Sequence, residues 1–267
     1  MSKLSGDISE AELTLGVIGT GAIAEALIVG LNEHASFAGQ FLISQRSKDR
    51  SSELAKRFSN VRVLDDNQQI VDQCDWVFMA VLPVQARETL MLLNFRRDQK
   101  LISLVAGISV QDLQDLSSPL TDVRRIIPLP PIENGIGPMP LFPADPAIKA
   151  LFDRCGKTVV AADEQEFSVY SAVSGLMAAH HEFTATVFQW IVQQSVEIEN
   201  AATYVTNMFR ALAQVECNTS PSKLADLPDD CVTEGGLNEQ SVRELRELNF
   251  NQMLQVRLDR LYERLQS

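Results

Sequence analysis

The chain has 267 residues, of which 45% are hydrophobic, and 35 acidic residues against 23 basic ones give it a formal net charge of −12 at pH 7. That length and apolar content suit one large globular domain or two smaller ones. Because the acidic balance repels phosphate backbones and anionic lipid surfaces, we expect neither nucleic acid nor a membrane as a partner.

The cysteines and the first residues indicate a reducing compartment. The four cysteines show neither CxxC pairing nor close spacing with the three histidines, which argues against a metal site or a disulfide framework. The first twelve residues, MSKLSGDISEAE, contain acids and lack an apolar core, so they do not resemble a signal peptide and we expect a frayed tail. We therefore expect a cytoplasmic protein with reduced cysteines.

The run LGVIGTGAIAEALIVGL changes its hydrophobic period half-way. Leu13 to Ile18 is short and apolar, as expected of a buried strand, and Gly19-Thr20-Gly21 interrupts it. From Ala22 the apolar residues follow a helical spacing of three and four. Glu25 and the clustered glycines argue against a membrane span. The run predicts a strand, a glycine turn and a helix.

The turn has the form Gly19-x-Gly21-x-x-Ala24, a variant of the dinucleotide-binding fingerprint. Gly19 permits the tight turn, Gly21 lets the backbone approach a pyrophosphate, and Ala24 lets the helix pack close to the strand. The amides at the helix N-terminus then face the phosphates. The alternative is a tight turn that binds no ligand.

The end of the second strand bears on which nicotinamide cofactor binds. An acid at this place holds the ribose hydroxyls of NAD, whereas NADP requires groups that bind its extra phosphate. Here the strand ends at Ser44 and continues Gln45, Arg46, Ser47, Lys48. Cations and a hydroxyl favour NADPH. The alternative is an ordinary solvated helix start.

Alternating strands and helices continue as far as a boundary after Ala162. The fold class expected is α/β, with an N-terminal Rossmann-type, doubly wound parallel sheet over residues 1–162. Ligands of such sheets lie beyond the carboxyl ends of the strands, which places Ala80 to Pro83 and Ala106-Gly107 beside the glycine turn. Further strands are predicted at VRV (61–63), DWVFMAV (75–81), KLISLVA (100–106), DVRRII (122–127) and RCGKTVVAAD (from Arg154), with a short helix opened by Asn67.

Residues 163–267 predict an all-helical dimerisation and substrate domain. Glu164 to Gln214 carries long helical patterns, and one final amphipathic helix is predicted from about Leu237 to Leu265. Trp76 and Trp190 are predicted to lie in the core. Helices this apolar rarely cover themselves in about a hundred residues, so we expect a homodimer or a higher homo-oligomer.

Taken in order, the motifs resemble those of the pyrroline-5-carboxylate reductases, from Leu13 to Leu265. The resemblance implies a Rossmann domain followed by an interlocking helical domain, and NADPH-dependent reduction of a cyclic imine to proline. The motifs are GVIGTGAIAEAL, Asn67 at the ribose-contact position, MAVLP (79–83), SLVAGIS (103–109), RRIIPLPP (124–131), VSG (173–175) and EGGLNE (234–239).

The resemblance and the fingerprint together assign the candidate site residues. Those assigned to the cofactor are Gly19, Gly21, Ile23, Ala24, Gln45, Arg46, Ser47, Lys48, Asn67, Ala80, Val81, Leu82, Pro83, Ala106 and Gly107. Those assigned to the substrate are Ser174, Gly175, Glu234, Gly235, Gly236 and Leu237, with His180 and Asn238 as catalytic candidates.

Several substrate positions depart from the family. Leu82 and Leu129 replace a family lysine and asparagine, and Leu237 and Asn238 replace two threonines that hold substrate in the family. Glu234 stands before the glycine pair, where an inward-facing side chain opposes a substrate carboxylate by about 4 kcal/mol at 4 Å and an effective dielectric of 20. An outward-facing side chain instead caps the following helix.

Hydride transfer to an imine requires few side chains, since a protonated imine is already activated. His180 replaces a family tyrosine and is either a proton donor or a helix-surface residue beside His181. Three hypotheses follow: reduction of 1-pyrroline-5-carboxylate with NADPH, reduction of a less anionic imine on the same scaffold, and a dimer that binds NADPH without turnover.

Overall fold

The computed structural model describes residues 3–5 and 8–266, and it describes side-chain environments from Glu10 onward. The chain divides into two compact units, one running to Ala172 and including the residues from Tyr262, the other comprising Val173–Leu261. The first unit extends ten residues beyond the domain boundary expected after Ala162. The physical reason is that Glu164 pairs with Arg125 at 2.7 Å and Phe167 packs under the same guanidinium, so the helix carrying both is joined to the sheet.

The first unit is built on an eight-stranded, mostly parallel sheet with the order β10-β9-β8-β7-β6-β3-β4-β5. The order reverses between β3 and β6, which is the switch point of a doubly wound sheet. The strands are β3 (Thr14–Ile18), β4 (Gln40–Ser44), β5 (Val61–Leu64), β6 (Trp76–Met79), β7 (Lys100–Ser103), β8 (Asp122–Ile126), β9 (Pro138–Phe142) and β10 (Lys157–Val160).

Helices cover both faces of this sheet, as the alternating pattern predicts. One buried cluster joins α1, α2 and α6 to the sheet, and a second joins α3, α4 and α5. Trp76 lies in the first cluster and is 3% exposed, which confirms its prediction as core. The helices are α1 (Ala22–Glu33), α2 (Lys48–Arg57), α3 (Asn67–Gln73), α4 (Pro83–Met91), α5 (Val110–Leu116), α6 (Pro146–Phe152) and α7 (Glu164–Ser174).

The described part of the N-terminal segment is ordered, so the expectation of a frayed tail is wrong there. β1 (Lys3–Ser5) and β2 (Ile8–Ser9) form an antiparallel pair. The Glu10 carboxylate then accepts hydrogen bonds of 2.7 and 2.8 Å from Arg154. The fork geometry of this pair holds the segment against the sheet domain. Residues 1, 2, 6 and 7 of the expected tail lie outside the described residues.

Strand β9 is absent from the sequence prediction. It pairs antiparallel with β8 and parallel with β10, so the sheet is not wholly parallel. The PMPLF sequence reads as a loop because proline has no N–H to donate to a ladder. In the structure the carbonyl of a proline still takes part in the pairing of β9 with the end of β8, since Pro140 accepts a hydrogen bond of 3.2 Å from the Ile127 amide.

The second unit is helical, as predicted, but its last helix is divided. Asn249 has φ +58°, which breaks the predicted helix from Leu237 to Leu265 into two. Trp190 is 60% exposed in the single chain, so its prediction as core is wrong for one chain. The helices are α8 (Met177–Gln193), α9 (Ile198–Asn218), α10 (Leu227–Asp230), α11 (Leu237–Glu247) and α12 (Phe250–Gln266), whose last residues belong to the first unit.

Two cysteines are buried and two are exposed. Cys74 and Cys155 are buried, whereas Cys217 and Cys231 lie exposed in the second unit. Burial raises the pKa of both Cys74 and Cys155 to about 12. Across residues 3–5 and 8–266, no helix is both long and apolar enough to span a membrane.

Candidate cofactor site

The turn after β3 requires glycine at its first position. Gly19 has φ +96°, and a Cβ there would lie 2.6 Å from the carbonyl oxygen of Ala80. L-residues rarely adopt such a φ, and the backbone of Ala80 cannot retreat as a side chain could. The turn therefore packs directly against the loop that follows β6.

Two buried hydroxyl residues fix this turn to the end of β4. The Gly19 amide donates a hydrogen bond of 2.9 Å to the hydroxyl of Ser44. The Thr20 hydroxyl donates one of 2.5 Å to the Ser44 carbonyl oxygen. Because the amide and hydroxyls are buried, these bonds satisfy groups that are costly to leave unpaired.

The second glycine of the turn faces open space. Gly21 is the N-cap of α1, has extended backbone geometry and carries no side-chain cap. A Cβ built there would meet no described atom within 4 Å. Ala24 is fully buried, so the first turn of α1 packs tightly while its amides remain available to a phosphate. This arrangement fits the pyrophosphate of a dinucleotide, and Ile23 lies half-buried in the same turn of α1.

A cavity of about 780 Å³ opens beside the ends of β4 and β5. It brings together Gln45, Arg46, Lys48 and Asn67 of the predicted cofactor set, while Ser47 is the N-cap of α2. The remaining lining residues were not predicted as site residues. Gln85, Glu88, Thr89 and Leu92 follow one another at a helical spacing of three and four along α4 and just past its end. The others are Ser44, Asp65, Asp66, Gln68 and Leu93.

Charges in this cavity are divided between two strand ends. Arg46 and Lys48 follow β4 and are exposed, whereas Asp65 and Asp66 follow β5. The Asp66 carboxylate accepts a hydrogen bond of 2.9 Å from the Gln68 amide and so caps α3, which begins at Asn67. The cavity thus offers cations for a phosphate on one side and acceptors for hydroxyls on the other.

The loop after β6 lies beside the glycine turn, as expected, and the loop after β7 begins beside the end of β6. The Ala80 amide donates to the Ile18 carbonyl at 2.8 Å, and the Leu104 amide donates to the Met79 carbonyl at 2.9 Å. Gly107 has φ +74° and is surrounded by open space in the described structure. The remaining members of this predicted set are Val81, half-buried, Leu82, exposed, Pro83, the first residue of α4, and Ala106, half-buried.

Some predicted substrate residues lie around the end of α7 and the start of α8 in the second unit. Ser174 ends α7, and Gly175 follows it and is exposed. His180 is exposed on α8, where its ring centroid lies 5.6 Å from that of His181. The structure thus presents His180 on a helix surface.

The glycine pair before α11 is already engaged within the unit. The Gly235 amide donates a hydrogen bond of 2.6 Å to the carboxylate of Glu239, one turn into the helix. Gly236 is the N-cap, and the Asn238 side-chain amide donates to the Cys231 carbonyl at 3.0 Å. Glu234 and Leu237 are exposed. The carboxylate that caps this helix start is therefore that of Glu239, not that of Glu234.

Comparison with known proteins agrees with this geometry. A protein-family model described as NADP oxidoreductase, coenzyme F420-dependent, matches residues 14–107. The pyrroline-5-carboxylate reductase of Corynebacterium melassecola is 33% identical over 129 residues, which are 46% of this chain and 47% of that protein. Other curated pyrroline-5-carboxylate reductases match 87–93% of the chain at 23–25% identity.

Two solved structures share nearly the whole fold. The 1-pyrroline-5-carboxylate reductase of Streptococcus pyogenes superposes with a TM-score of 0.83 at 24% identity, covering 96% of this chain and 99% of that one. The Plasmodium falciparum pyrroline carboxylate reductase with NADP bound gives 0.83 at 18% identity, covering 97% and 98%.

The chain is similar to pyrroline-5-carboxylate reductases over most of its length, at low sequence identity. This confirms the resemblance stated from the motifs and the Rossmann-type fold class. The pyrroline-5-carboxylate reductase-like chain is accordingly of the NAD(P)-dependent oxidoreductase type. The glycine turn, the cavity beside β4 and β5, and the loops after β6 and β7 stay predictions for its cofactor site.

Proposed function

We propose that this protein reduces the C=N bond of 1-pyrroline-5-carboxylate with NADPH, giving L-proline. The observation that carries the proposal is the cradle after β3. Gly19 adopts φ +96°, and Gly21 faces a space without described atoms within 4 Å. Such a cradle at the start of a helix suits a pyrophosphate, and the resemblance to pyrroline-5-carboxylate reductases supplies the substrate.

The choice of NADPH rests on the end of β4. Arg46 and Lys48 line the cavity there, and Ser47 lies between them. A guanidinium binds phosphate oxygens through several donors, and a hydroxyl adds another. The 2′-phosphate of NADPH would lie against these groups, while the ribose lies toward Asn67.

When bound against the glycine turn and Arg46, NADPH would supply the hydride, a hydrogen with its electron pair, that reduces the carbon of the protonated C=N bond, and the π electrons of that bond would become the lone pair of the amine nitrogen. The chain positions the acceptor and excludes water at the loops containing Ala80 and Gly107. Since the imine nitrogen arrives protonated, a side-chain acid is not essential. His180 and Asn238 stay predictions for residues that would hold that nitrogen or exchange its proton.

Two measurements test the proposal in sequence. Titration with NADPH, followed by nicotinamide fluorescence, should show saturable binding that is tighter than for NADH. Oxidation of NADPH in the presence of 1-pyrroline-5-carboxylate should then yield proline in equal amount. Absence of NADPH binding, or a preference for NADH, contradicts the cofactor assignment; binding without proline formation contradicts the substrate assignment.

A second candidate is reduction of a less anionic imine on the same scaffold. Leu82 is 63% exposed and Leu237 is 85% exposed, so both present apolar surface where the family has polar residues. The Glu239 carboxylate also occupies the Gly235 amide that a substrate carboxylate would otherwise use. Turnover on neutral cyclic imines with none on 1-pyrroline-5-carboxylate would favour this candidate. If NADPH binds but neither kind of imine is reduced, the result would favour a binding protein without turnover.

We further infer that two copies of the chain associate through the helical unit. None of the residues of α8, α11 and α12 that the structure describes is buried in the single chain. Large apolar side chains remain exposed on α8 and α9, including Phe183 at 52%, Trp190 at 60% and Tyr204 at 65%. Apolar surface of this extent is typical of an interface, and a homodimer covers it with the same surface of a second copy. A cytoplasmic location stays a prediction.

A further inference from the structure

Polar groups of Gly19, Thr20 and Ser44 form a closed set of hydrogen bonds, the hydroxyl network, between the glycine turn and the end of β4. The Gly19 amide donates to the Ser44 hydroxyl at 2.9 Å, and the Thr20 hydroxyl donates to the Ser44 carbonyl oxygen at 2.5 Å. With its hydrogen used in this way, the Thr20 hydroxyl oxygen can accept from the Ser44 hydroxyl, which lies 3.3 Å away. Each donor of the network therefore has an acceptor within it.

The hydroxyl network is buried, although it lies beside the cavity at the ends of β4 and β5. Thr20 is 1% exposed and Ser44 is 5% exposed, and Ser44 also lines the cavity. Water has little access to such groups, so a hydrogen bond lost there is costly. Linked hydrogen bonds also polarise and strengthen one another. The glycine turn and the last residue of β4 are thus held together as one rigid piece.

This rigid piece lies between the two groups expected to bind the phosphates of the cofactor. Gly21 stands two residues after Gly19, and Arg46 stands two residues after Ser44. Because two residues of chain span at most about 7 Å, little backbone separates either group from the hydroxyl network. The network therefore fixes the backbone of Arg46 relative to the amides that would bind the pyrophosphate.

An ion pair joins the same two segments a few residues further along. Arg50, in the first turn of α2, donates to the carboxylate of Glu25, in the first turn of α1, at 2.6 Å. The two side chains are 37% and 34% exposed, and ion pairs that solvent reaches contribute little. The buried hydroxyls of Thr20 and Ser44 are therefore the principal connection between the two segments.

We propose that Thr20 and Ser44 are positioning residues that set the preference for NADPH over NADH. A ligand that uses two phosphate sites gains most when the protein already holds both at the required separation, because binding then does not have to order them. NADPH would use the glycine turn and the cations after β4, whereas NADH would use the glycine turn alone. The inference rests on the proposed function, because it concerns how the chain selects the cofactor proposed there.

The test compares three ligands that use the two phosphate sites differently. NADPH would contact both sites, NADH only the glycine turn, and adenosine 2′-monophosphate only the cations. Thr20→Val keeps the shape of the side chain and removes its hydroxyl. We expect it to bind NADPH at least about tenfold more weakly, which corresponds to one lost hydrogen bond, and to bind the other two within about threefold of wild type. Fluorescence titration measures the dinucleotides, and calorimetry measures the monophosphate.

The pattern across the ligands separates a positioning role from a structural one. If Thr20→Val weakens NADPH and NADH by the same factor, the hydroxyl network only supports the fold and the proposal is wrong. Unchanged binding of NADPH would overturn it as well. Thr20→Ser keeps the hydroxyl and loses only a methyl group, so this matched variant should restore the wild-type preference for NADPH.

Two serine variants complete the test. Ser117→Ala removes a different buried hydroxyl, which donates to the Leu113 carbonyl at 2.7 Å at the end of α5, so it should lower stability without changing the preference for NADPH. If Thr20→Val does not fold, Ser44→Ala decides the matter, because it removes the acceptor of the Gly19 amide. An unchanged ratio of NADPH affinity to NADH affinity in Ser44→Ala would then refute the proposal.

The wild-type protein tests the proposed function separately. If it binds NADPH no more tightly than NADH, the proposed cofactor is wrong, and there is no preference for the hydroxyl network to set. If the wild type prefers NADPH and both Thr20→Val and Ser44→Ala keep that preference in full, the cofactor assignment stands and the proposed role of Thr20 and Ser44 is wrong.

Discussion

The backbone amide of Gly19 donates a 2.9 Å hydrogen bond to the hydroxyl of Ser44, so the turn after β3 is held by the last residue of β4. Gly19 is part of the turn expected to bind the pyrophosphate, and Ser44 comes directly before the cations expected to bind the 2′-phosphate. A displacement of Gly19 or Ser44 would therefore alter both parts of the expected cofactor site.

Gly19→Ala should lower the stability of the protein. Alanine at φ +96° costs about 1–2 kcal/mol, and its Cβ would lie 2.6 Å from the Ala80 carbonyl oxygen. We expect the free energy of unfolding to fall by about 2 kcal/mol or more, measured by urea denaturation. An unchanged urea midpoint would show that the turn is not held as described.

Gly21→Ala is the matched variant in the same turn. Its φ of −88° suits alanine, and the added Cβ meets no described atom within 4 Å, so the free energy of unfolding should stay within about 0.5 kcal/mol of the wild type. The same methyl group occupies space that a pyrophosphate would use. NADPH affinity, measured by fluorescence titration, should fall at least about tenfold. An unchanged affinity would show that the pyrophosphate binds at a different place.

Arg46→Ala should reduce the preference for NADPH. Charge-assisted hydrogen bonds contribute about 1.5–3 kcal/mol, so we expect NADPH to bind about 10- to 100-fold more weakly while NADH is affected little. Lys56→Ala, an exposed cation in the last turn of α2, serves as the control for a general loss of positive charge. Equal weakening of both cofactors by Arg46→Ala would argue against a 2′-phosphate contact.

Asp145→Asn tests a buried ion pair at the opposite edge of the sheet. The Lys100 ammonium pairs with Asp145, and the two side chains are 11% and 7% exposed. Asparagine still accepts from the amides of Ala147 and Ile148 at the start of α6, so the variant removes charge and keeps the cap. Loss of one partner of a buried pair costs about 3–5 kcal/mol. Because the Lys100 ammonium also lies 3.7 Å from the Asp122 carboxylate, we expect a loss of about 2–3 kcal/mol at pH 7 by urea denaturation, with exposed Asp98→Asn unchanged.

The effect of Asp145→Asn should depend on pH. Burial raises the pKa of Asp145, but hydrogen bonds from Lys100 and the Ile148 amide, with the charges of Lys100 and Arg124, outweigh it and hold the pKa below its usual value. A lowered pKa stabilises the fold above the unfolded pKa of about 3.9, and that contribution is lost as the pH falls through the folded value. The difference between wild type and variant should therefore shrink below about pH 4. A constant difference would contradict the ion pair.

Trp190→Glu should dissociate the proposed dimer. The indole is 60% exposed on α8, and a carboxylate in its place would have to be desolvated when two copies associate. Sedimentation velocity should show the wild type as a dimer and the variant shifted to monomer. Gln189→Glu adds the same charge on the neighbouring exposed residue, so dissociation by that variant alone would place the interface on a different face of α8.

The sequence reveals the elements whose pattern is local. The strand at Thr14–Ile18, its glycine turn and α1 follow from adjacent residues, and so does the strand end at Ser44. Strand β9 was missed because its prolines hide a ladder that depends on a distant partner, β8. The break at Asn249 was missed for a related reason: a single residue at φ +58° divides a helix whose hydrophobic period continues on both sides.

Side-chain pairings were the part of the structure that the sequence did not predict, whether the partners are near or far apart along the chain. The sequence placed Glu234 as the acid at the glycine pair, but the bond to the Gly235 amide comes from Glu239, one helical turn later. The contact of Arg125 with Glu164 spans a sequence separation of 39 and required the packing of α7 on the sheet. Exposure of Trp190 likewise reflects a surface that one chain does not cover by itself.

The distribution of the four cysteines makes the protein straightforward to label. Maleimide reagents attack thiolates, and burial with a pKa of about 12 protects Cys74 and Cys155, whereas Cys217 and Cys231 lie exposed in the helical unit. A fluorophore would therefore attach to the helical unit alone in the native protein. The number of reactive thiols would rise from two to four on denaturation, which provides a chemical measure of folding that is independent of any cofactor.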